Sequence, residues 1–272
     1  MSATLVIHAN EGFTAPGPID FFLPDFLGHK WNESGFIPVL TKAAVLLALG
    51  AILTFLFLRL TSRDPKVVPT KAQYLGEQAY AFVRNGVGQD IIGPTHYKRW
   101  VPLLLSMFYF ILINNLFGIV PFLSFPPFAR ASYAYGLAAM VWVIYNGIGI
   151  AAKGFGGYMK ATCVPSGVPG WILPLLVPLE FLSNILVRPL TLSLRLFANM
   201  FAGHLLIILF STGGFYLLLH GTGSIVVKPA GLLALAMGVG IGMLEFIVAI
   251  LQAYVFTLLT ATYIAGALAD EH

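Results

Sequence analysis

Three ionisable residues stand where the sequence offers them no water. Arg195 lies in Ser193-Leu-Arg-Leu-Phe-Ala-Asn-Met-Phe201, near the middle of an apolar run from about Trp171 to Leu219, and His204 and Glu245 have similarly apolar neighbours. An arginine at the centre of a spanning helix costs about 2.5–3.5 kcal/mol on insertion scales. Unlike lysine, guanidinium does not escape that cost by losing its proton. Arg195 is therefore a fixed positive charge, and such a charge favours the ionised form of a nearby carboxyl and repels a migrating proton. His204 and Glu245 are a different kind of pair, a His/Glu couple that passes protons near neutral pH.

Helical projection groups these residues with others. At about 100° per residue, Glu180, Asn184, Arg188, Thr191, Arg195 and Asn199 fall within an arc of about 100°, although the residues between them are largely Leu, Phe, Val and Ile. Glu245, Gln252 and Tyr263 fall within about 20° of one direction, with Thr260 nearby, so a second polar stripe is placed to face the first. His204 lies off the Arg195 direction but within reach of Glu245 across such a pair. Plainer roles compete with these. Arg195 pairing with Glu245 or Glu180 would simply pin two helices. Glu180 and Arg188 at headgroup depth would be anchors. Asn114 and Asn115, which interrupt another apolar stretch, fit interhelical hydrogen bonding and the lining of a water path equally well.

The elements that position these groups follow from composition and length. Hydrophobic residues make up 58% of the 272-residue chain and charged residues 10%, with mean hydropathy +0.86, against about a quarter charged in a soluble domain. This is an all-α polytopic integral membrane protein. Net charge +4 then marks one membrane face rather than a nucleic-acid partner, since no basic run or basic-aromatic module is present. Cys163 is the sole cysteine, and no Cys/His cluster has metal-ligand spacing, so neither a disulfide, a metal nor a cofactor is expected.

Spans of about 20 apolar residues are expected near 36–60, 101–120 and 131–152, within a single membrane domain 36–272 that follows an external amino-terminal tail, 1–35. The polar segment 61–100 carries Arg63, Lys66, Lys71, Arg84, Lys98 and Arg99 and reads as a cytoplasmic loop containing an interfacial helix. Its basic residues, set against the acidic tail, put the amino terminus outside and the carboxyl terminus in the cytoplasm. The stretches 171–219 and 229–268 are too long for ordinary spans, at about 74 and 60 Å against a hydrocarbon core of about 30 Å. The first must tilt steeply or fold back as a hairpin, and the second must tilt. Five or six membrane helices result. The glycines of Gly238-Val-Gly-Ile-Gly242 lack the context of a nucleotide-binding loop and read as close helix packing.

Pro189-Leu-Thr-Leu-Ser-Leu-Arg-Leu-Phe-Ala-Asn-Met-Phe-Ala-Gly-His204 resembles the signature of subunit a of the F-type rotary ATP synthase, bacterial type. Leu251-Gln-Ala-Tyr-Val-Phe-Thr-Leu-Leu-Thr-Ala-Thr-Tyr263 is similar to the family's last helix, and Asn115-Leu-Phe-Gly-Ile-Val-Pro121 to its second span. The resemblance implies a proton-translocating stator subunit in the bacterial inner (plasma) membrane. It would sit beside c-ring subunits and peripheral-stalk b subunits, with its last two helices tilted against the rotor ring. Two offset half-channels would carry protons to and from the ring carboxylates, and bond chemistry would belong to the rest of the complex. By the same resemblance Arg195 would hold the ring carboxylate ionised and block leakage, Asn199 and Gln252 would orient it or line water, and His204 with Glu245 would relay protons. Glu180 would serve the cytoplasmic side, with Asn184, Arg188, Asn115 and Tyr263 as accessory residues. Gly118 stands where some members carry an acid. The alternative is a self-contained secondary transporter or channel with an intramembrane arginine site, which should show paired repeats with broken helices.

Overall fold

The computed structural model describes residues 13, 15–21, 41–61, 70–94, 96–120, 123–164, 172–220 and 227–268, and among these the chain is almost wholly helical, with no β-strand. Five helices are long and apolar enough to cross a membrane. α1, Lys42–Thr61, is an unbroken apolar run begun by Thr41, whose hydroxyl accepts from the Ala44 amide at 3.4 Å. Residues 36–40, which the sequence assigns to this span, lie outside the described residues.

The polar segment that follows is mostly helix. α2, Lys71–Val83, starts where the Thr70 side chain accepts from the Gln73 amide at 3.3 Å, and it continues as a wider π-helical stretch, Arg84–Ile92, stopped by Gly93 at φ 89°. Val83 and Val87 are fully buried where this stretch packs against later spans. Of the large apolar side chains on α2, Val83 turns inward, whereas Tyr74, Leu75, Tyr80 and Phe82 stay exposed.

α3, Tyr97–Leu116, starts and ends four residues earlier than expected. The chain does not wait for Pro121, because Gly118 and Ile119 amides close tight turns onto the Asn115 and Leu116 carbonyls at 3.1 and 3.0 Å. α4, Ala131–Cys163, holds the expected span and then breaks at Gly154 (φ 72°, ψ 163°), a conformation that a side chain disfavours. The helical return folds Tyr158 onto the bare face of Gly149, where a Cβ would collide with the ring, and the Tyr158 hydroxyl donates to Asn146 Oδ1 at 3.0 Å.

The fourth membrane element is continuous from Leu173 to His220, 48 residues or about 72 Å at ~1.5 Å per residue, so the hairpin alternative is excluded. It consists of α5, Leu173–Phe181, a π-helical stretch, Leu182–Val187, and α6, Arg188–His220. α7, Val227–Leu268, runs 42 residues or about 63 Å. α6 and α7 pack side by side, antiparallel, in the most extensive helix pairing of the chain. Their backbones meet at Gly214 and Gly231. A Cβ on Gly231 would lie 3.0 Å from the Gly214 carbonyl oxygen, and one on Gly214 would lie 2.8 Å from Leu235. Of the glycine cluster on α7 only Gly238 is at such a contact, facing Phe210 and Ser211 at 3.5 Å, while Gly240 and Gly242 face open space. Gly214→Leu is accordingly expected to destabilise the purified protein by about 1–3 kcal/mol, whereas Gly240→Ala leaves the thermal unfolding midpoint in detergent unchanged. Equal midpoints for the two variants would contradict the backbone crossing.

The core is drawn from α3, α4, α6, α7 and the short connection before α4, around Leu104, Ile111, Phe128, Leu196, Met200 and Phe256. The side chains left outside on α1 and α7 are equally apolar, among them Phe55, Leu232, Leu244 and Ile247. An exterior this rich in large hydrophobics fits lipid as the surrounding solvent.

Candidate functional site

Three levels of polar side chains line the α6–α7 pair, and the antiparallel register sets which residues meet. At the first, His204 and Glu245 are both buried, 4% exposed each. Gly203 makes room for the acid: a Cβ there would lie 3.1 Å from the Glu245 carboxyl carbon and from Oε1. Neither carboxyl oxygen of Glu245 has a hydrogen-bond partner among the described residues, nor does His204 Nδ1. The two side chains, expected within reach of each other, thus make no hydrogen bond to one another among the described residues. The edges of the His204 ring instead meet Phe21 and Phe125, the latter in the connection between α3 and α4, at centroid distances of 5.8 and 6.1 Å. Buried polar groups without partners cost about 1–3 kcal/mol each, so their concentration at this level calls for a reason beyond packing.

One turn further along, Asn199 Nδ2 donates to Gln252 Oε1 at 2.8 Å, and Gln252 is buried while its own Nε2 has no partner. Asn115 joins this level from α3 and donates to the Ala249 carbonyl at 3.4 Å, which makes it an interhelical clamp. Asn114 does not bridge helices by hydrogen bonding. Its amide nitrogen donates to its own helix at Phe110, 2.8 Å, and the group fills the space beside Gly50 of α1.

Arg195 lies one turn from Asn199 on α6, exposed, and it has no hydrogen bond or ion pair among the described residues. Pairing with Glu245 or Glu180 to pin two helices is thus not what it does. Its face carries Thr191, Leu194, Ala198, Asn199 and Ala202, also exposed. Small residues at such a face let another helix approach closely.

The third level lies toward the start of the long helix. Glu180 Oε2 accepts from Asn184 Nδ2 at 2.9 Å, and the same amide donates to the Thr162 carbonyl at 2.9 Å. Arg188 lies over the Tyr263 ring at 5.4 Å, and Tyr263 meets Tyr145 at 5.5 Å. Here the single polar stripe drawn by projection is corrected. The π-helical stretch Leu182–Val187 takes up extra residue per turn, so Asn184 turns inward to α4 while Thr191, Arg195 and Asn199 stay on the open face. The wide turns free backbone carbonyls that α4 then satisfies. Trp142 Nε1 donates to the Ile185 carbonyl at 2.8 Å, and the Tyr145 hydroxyl to that of Asn184 at 3.1 Å.

The second stripe holds as projected, since Glu245, Gln252 and Tyr263 each face α6, meeting Gly203, Asn199 and Arg188 in turn. Not legible in the sequence were Trp142, Tyr145 and Tyr158 as supports of the third level, or Phe21 and Phe125 beside His204. Each belongs to an element far from its partner along the chain, and no spacing rule links them. At Gly118, a Cβ would lie 3.1–3.2 Å from the Pro126 ring, so a larger residue there would press on the connection before α4.

Residues 43–265 match the family described as ATP synthase A chain. The chain is 52% identical over 266 residues to ATP synthase subunit a of a Nocardioides species, covering 96% of this chain and 95% of that relative. It is 45% identical over 274 residues to that of Paenarthrobacter aurescens, with full coverage of both, and 40% identical over 261 residues to that of Streptomyces lividans, at 96% and 90% coverage.

Proposed function

The chain belongs to the ATP synthase A chain family, and on that premise we propose that it is the stator subunit that moves protons across the membrane sector of ATP synthase. The observation that carries the reading is Arg195: a permanent cation, exposed and without a partner among the described residues, on a membrane-length helix. A charge so placed requires its counter-charge from another chain. A carboxylate on each c-ring subunit supplies it. The ring carboxyl gives up its proton as it meets Arg195, passes as a carboxylate, and is reprotonated on the far side.

The two flanking levels fit two half-channels that do not join. His204 and Glu245 lie about 14 Å along α6 from Arg195, and Glu180 with Asn184 about 20 Å in the other direction, at ~1.5 Å per residue. We assign the first to the external access path and the second, with Arg188 and Tyr263, to the cytoplasmic one. Asn199, Gln252 and Asn115 keep the helices joined at the depth of Arg195. The amino terminus is outside and the carboxyl terminus cytoplasmic, in a bacterial inner membrane, and residues 36–272 act as one membrane domain with 61–100 as its cytoplasmic loop. The peripheral-stalk b subunits hold this chain against the torque of the ring. The isolated chain catalyses no bond chemistry. Family membership does not favour a stand-alone transporter or channel.

Cysteine cross-linking tests the ring-facing surface. In the assembled complex, Leu194→Cys or Ala198→Cys on α6 is expected to form disulfides with a cysteine on the outer helix of a c subunit under mild oxidation. Phe55→Cys, exposed on α1, is expected to form none. Cross-linking from α1 in place of α6 would reverse the assignment.

A further inference from the structure

The amino-terminal tail contributes an aromatic side chain to the His204 environment, although it precedes residues 43–265, which match the family. Phe21, at the end of a short 3-10 turn, Pro18–Phe21, is 5% exposed. Its ring lies 4.6 Å from that of Phe201, 5.8 Å from the His204 imidazole and 6.0 Å from Phe125, so it closes a cluster that holds the imidazole from two sides. A second contact fixes the tail's path. Phe13 packs on Tyr216 at 5.5 Å and faces Gly213. Tyr216 and Phe201 lie about 22 Å apart along α6, and the eight residues from Phe13 to Phe21 reach at most about 29 Å when extended. The two contacts with α6 therefore lie nearly as far apart as the residues between them can reach, with Phe13, 40% exposed, at one and Phe21, beside His204, at the other.

We propose that Phe21 is a positioning residue for proton transfer through His204. A relay imidazole takes a proton on one nitrogen and releases it from the other, so its ring orientation decides where the proton goes. The edge-to-face contacts of Phe21 and Phe125 hold the ring plane. Phe21 also covers the ring where the tail crosses it. This rests on His204 being a relay, as assigned above.

The test uses the assembled complex in vesicles, with diethyl pyrocarbonate as probe and peptide mass spectrometry as readout. In Phe21→Ala, carbethoxylation of His204 relative to His220 is expected to rise roughly tenfold, as for loss of a local protective cover. ATP-driven proton pumping at matched ATP hydrolysis should fall several-fold. Phe21→Leu, which restores apolar bulk, is expected to recover most of both, and Phe13→Ala to change neither. Unchanged labelling and pumping in Phe21→Ala, beside impaired pumping in His204→Ala, would overturn the role of Phe21 alone. Raised labelling with normal pumping would reduce Phe21 to a cover and also overturn positioning. Normal pumping in His204→Ala would instead overturn the relay assignment and, with it, the reason for holding the ring.

Discussion

Arg195→Ala is expected to abolish ATP-driven proton pumping in inverted vesicles while the complex still assembles. At an effective dielectric of about 20, a cation and a carboxylate about 4 Å apart attract by roughly 4 kcal/mol, which corresponds to about three decades in rate or population. Without that attraction the ring carboxyl has no reason to ionise as it passes, and no fixed charge repels a proton moving between the two levels of polar groups. Assembly should survive, because Arg195 makes no hydrogen bond or ion pair among the described residues that its loss would break. The same exposure means that Arg195→Lys keeps a charge but loses the fixed, forked donor geometry, so only partial recovery is expected. ATP hydrolysis and ring content are measured in parallel. Pumping above a tenth of the wild-type rate in a complete Arg195→Ala complex would remove the arginine from the mechanism.

Glu245 carries the second large effect. Its carboxyl is buried against Gly203, and neither oxygen has a partner among the described residues. No structural bond is lost when it is replaced. Glu245→Gln, which keeps shape and polarity but cannot exchange a carboxyl proton, should therefore reduce pumping by roughly a hundredfold, the low end for a placed acid–base group, with normal assembly. Exchanging the pair, His204→Glu with Glu245→His, should restore measurable pumping, since both types carry protons near neutral pH. That recovery depends on Gly203: adding Gly203→Ala places a methyl about 3.1 Å from the group at 245 and is expected to remove it. Wild-type pumping in Glu245→Gln would show that protons reach the ring by a path that avoids this side chain.

The fold was legible to the extent that lipid imposes it. Apolar length alone announces α1, α3 and α4, and the excess length of the last two stretches announces helices that exceed a simple crossing. What sequence pattern misplaced were ends and breaks. α3 ends at Leu116 because two tight turns satisfy its last carbonyls before Pro121 is reached. Gly154 is one of several glycines near Lys153, and only the fit of Tyr158 onto Gly149 identifies it as the hinge. The site shows the same division. Projection at a constant angle succeeds for α7, an uninterrupted α-helix, and fails for Glu180 and Asn184, because a π-helical stretch separates them from Arg195.

What the sequence determined by itself is residue chemistry: a charge that cannot be neutralised at Arg195, titratable side chains at His204 and Glu245, and largely apolar neighbours along the chain for all three. These are properties of residue type and of the solvent that composition selects. Only the tertiary structure decided how they are used. Packing of α6 on α7 buries His204 and Glu245 without joining them, aligns Asn199 with Gln252, and leaves Arg195 exposed, with no hydrogen bond or ion pair among the described residues. The tail brings Phe21 to His204 across more than 180 residues of sequence. Such relations depend on helix register, on glycines small enough for backbones to touch, and on one wide helical turn. None is encoded in the spacing of the residues it brings together.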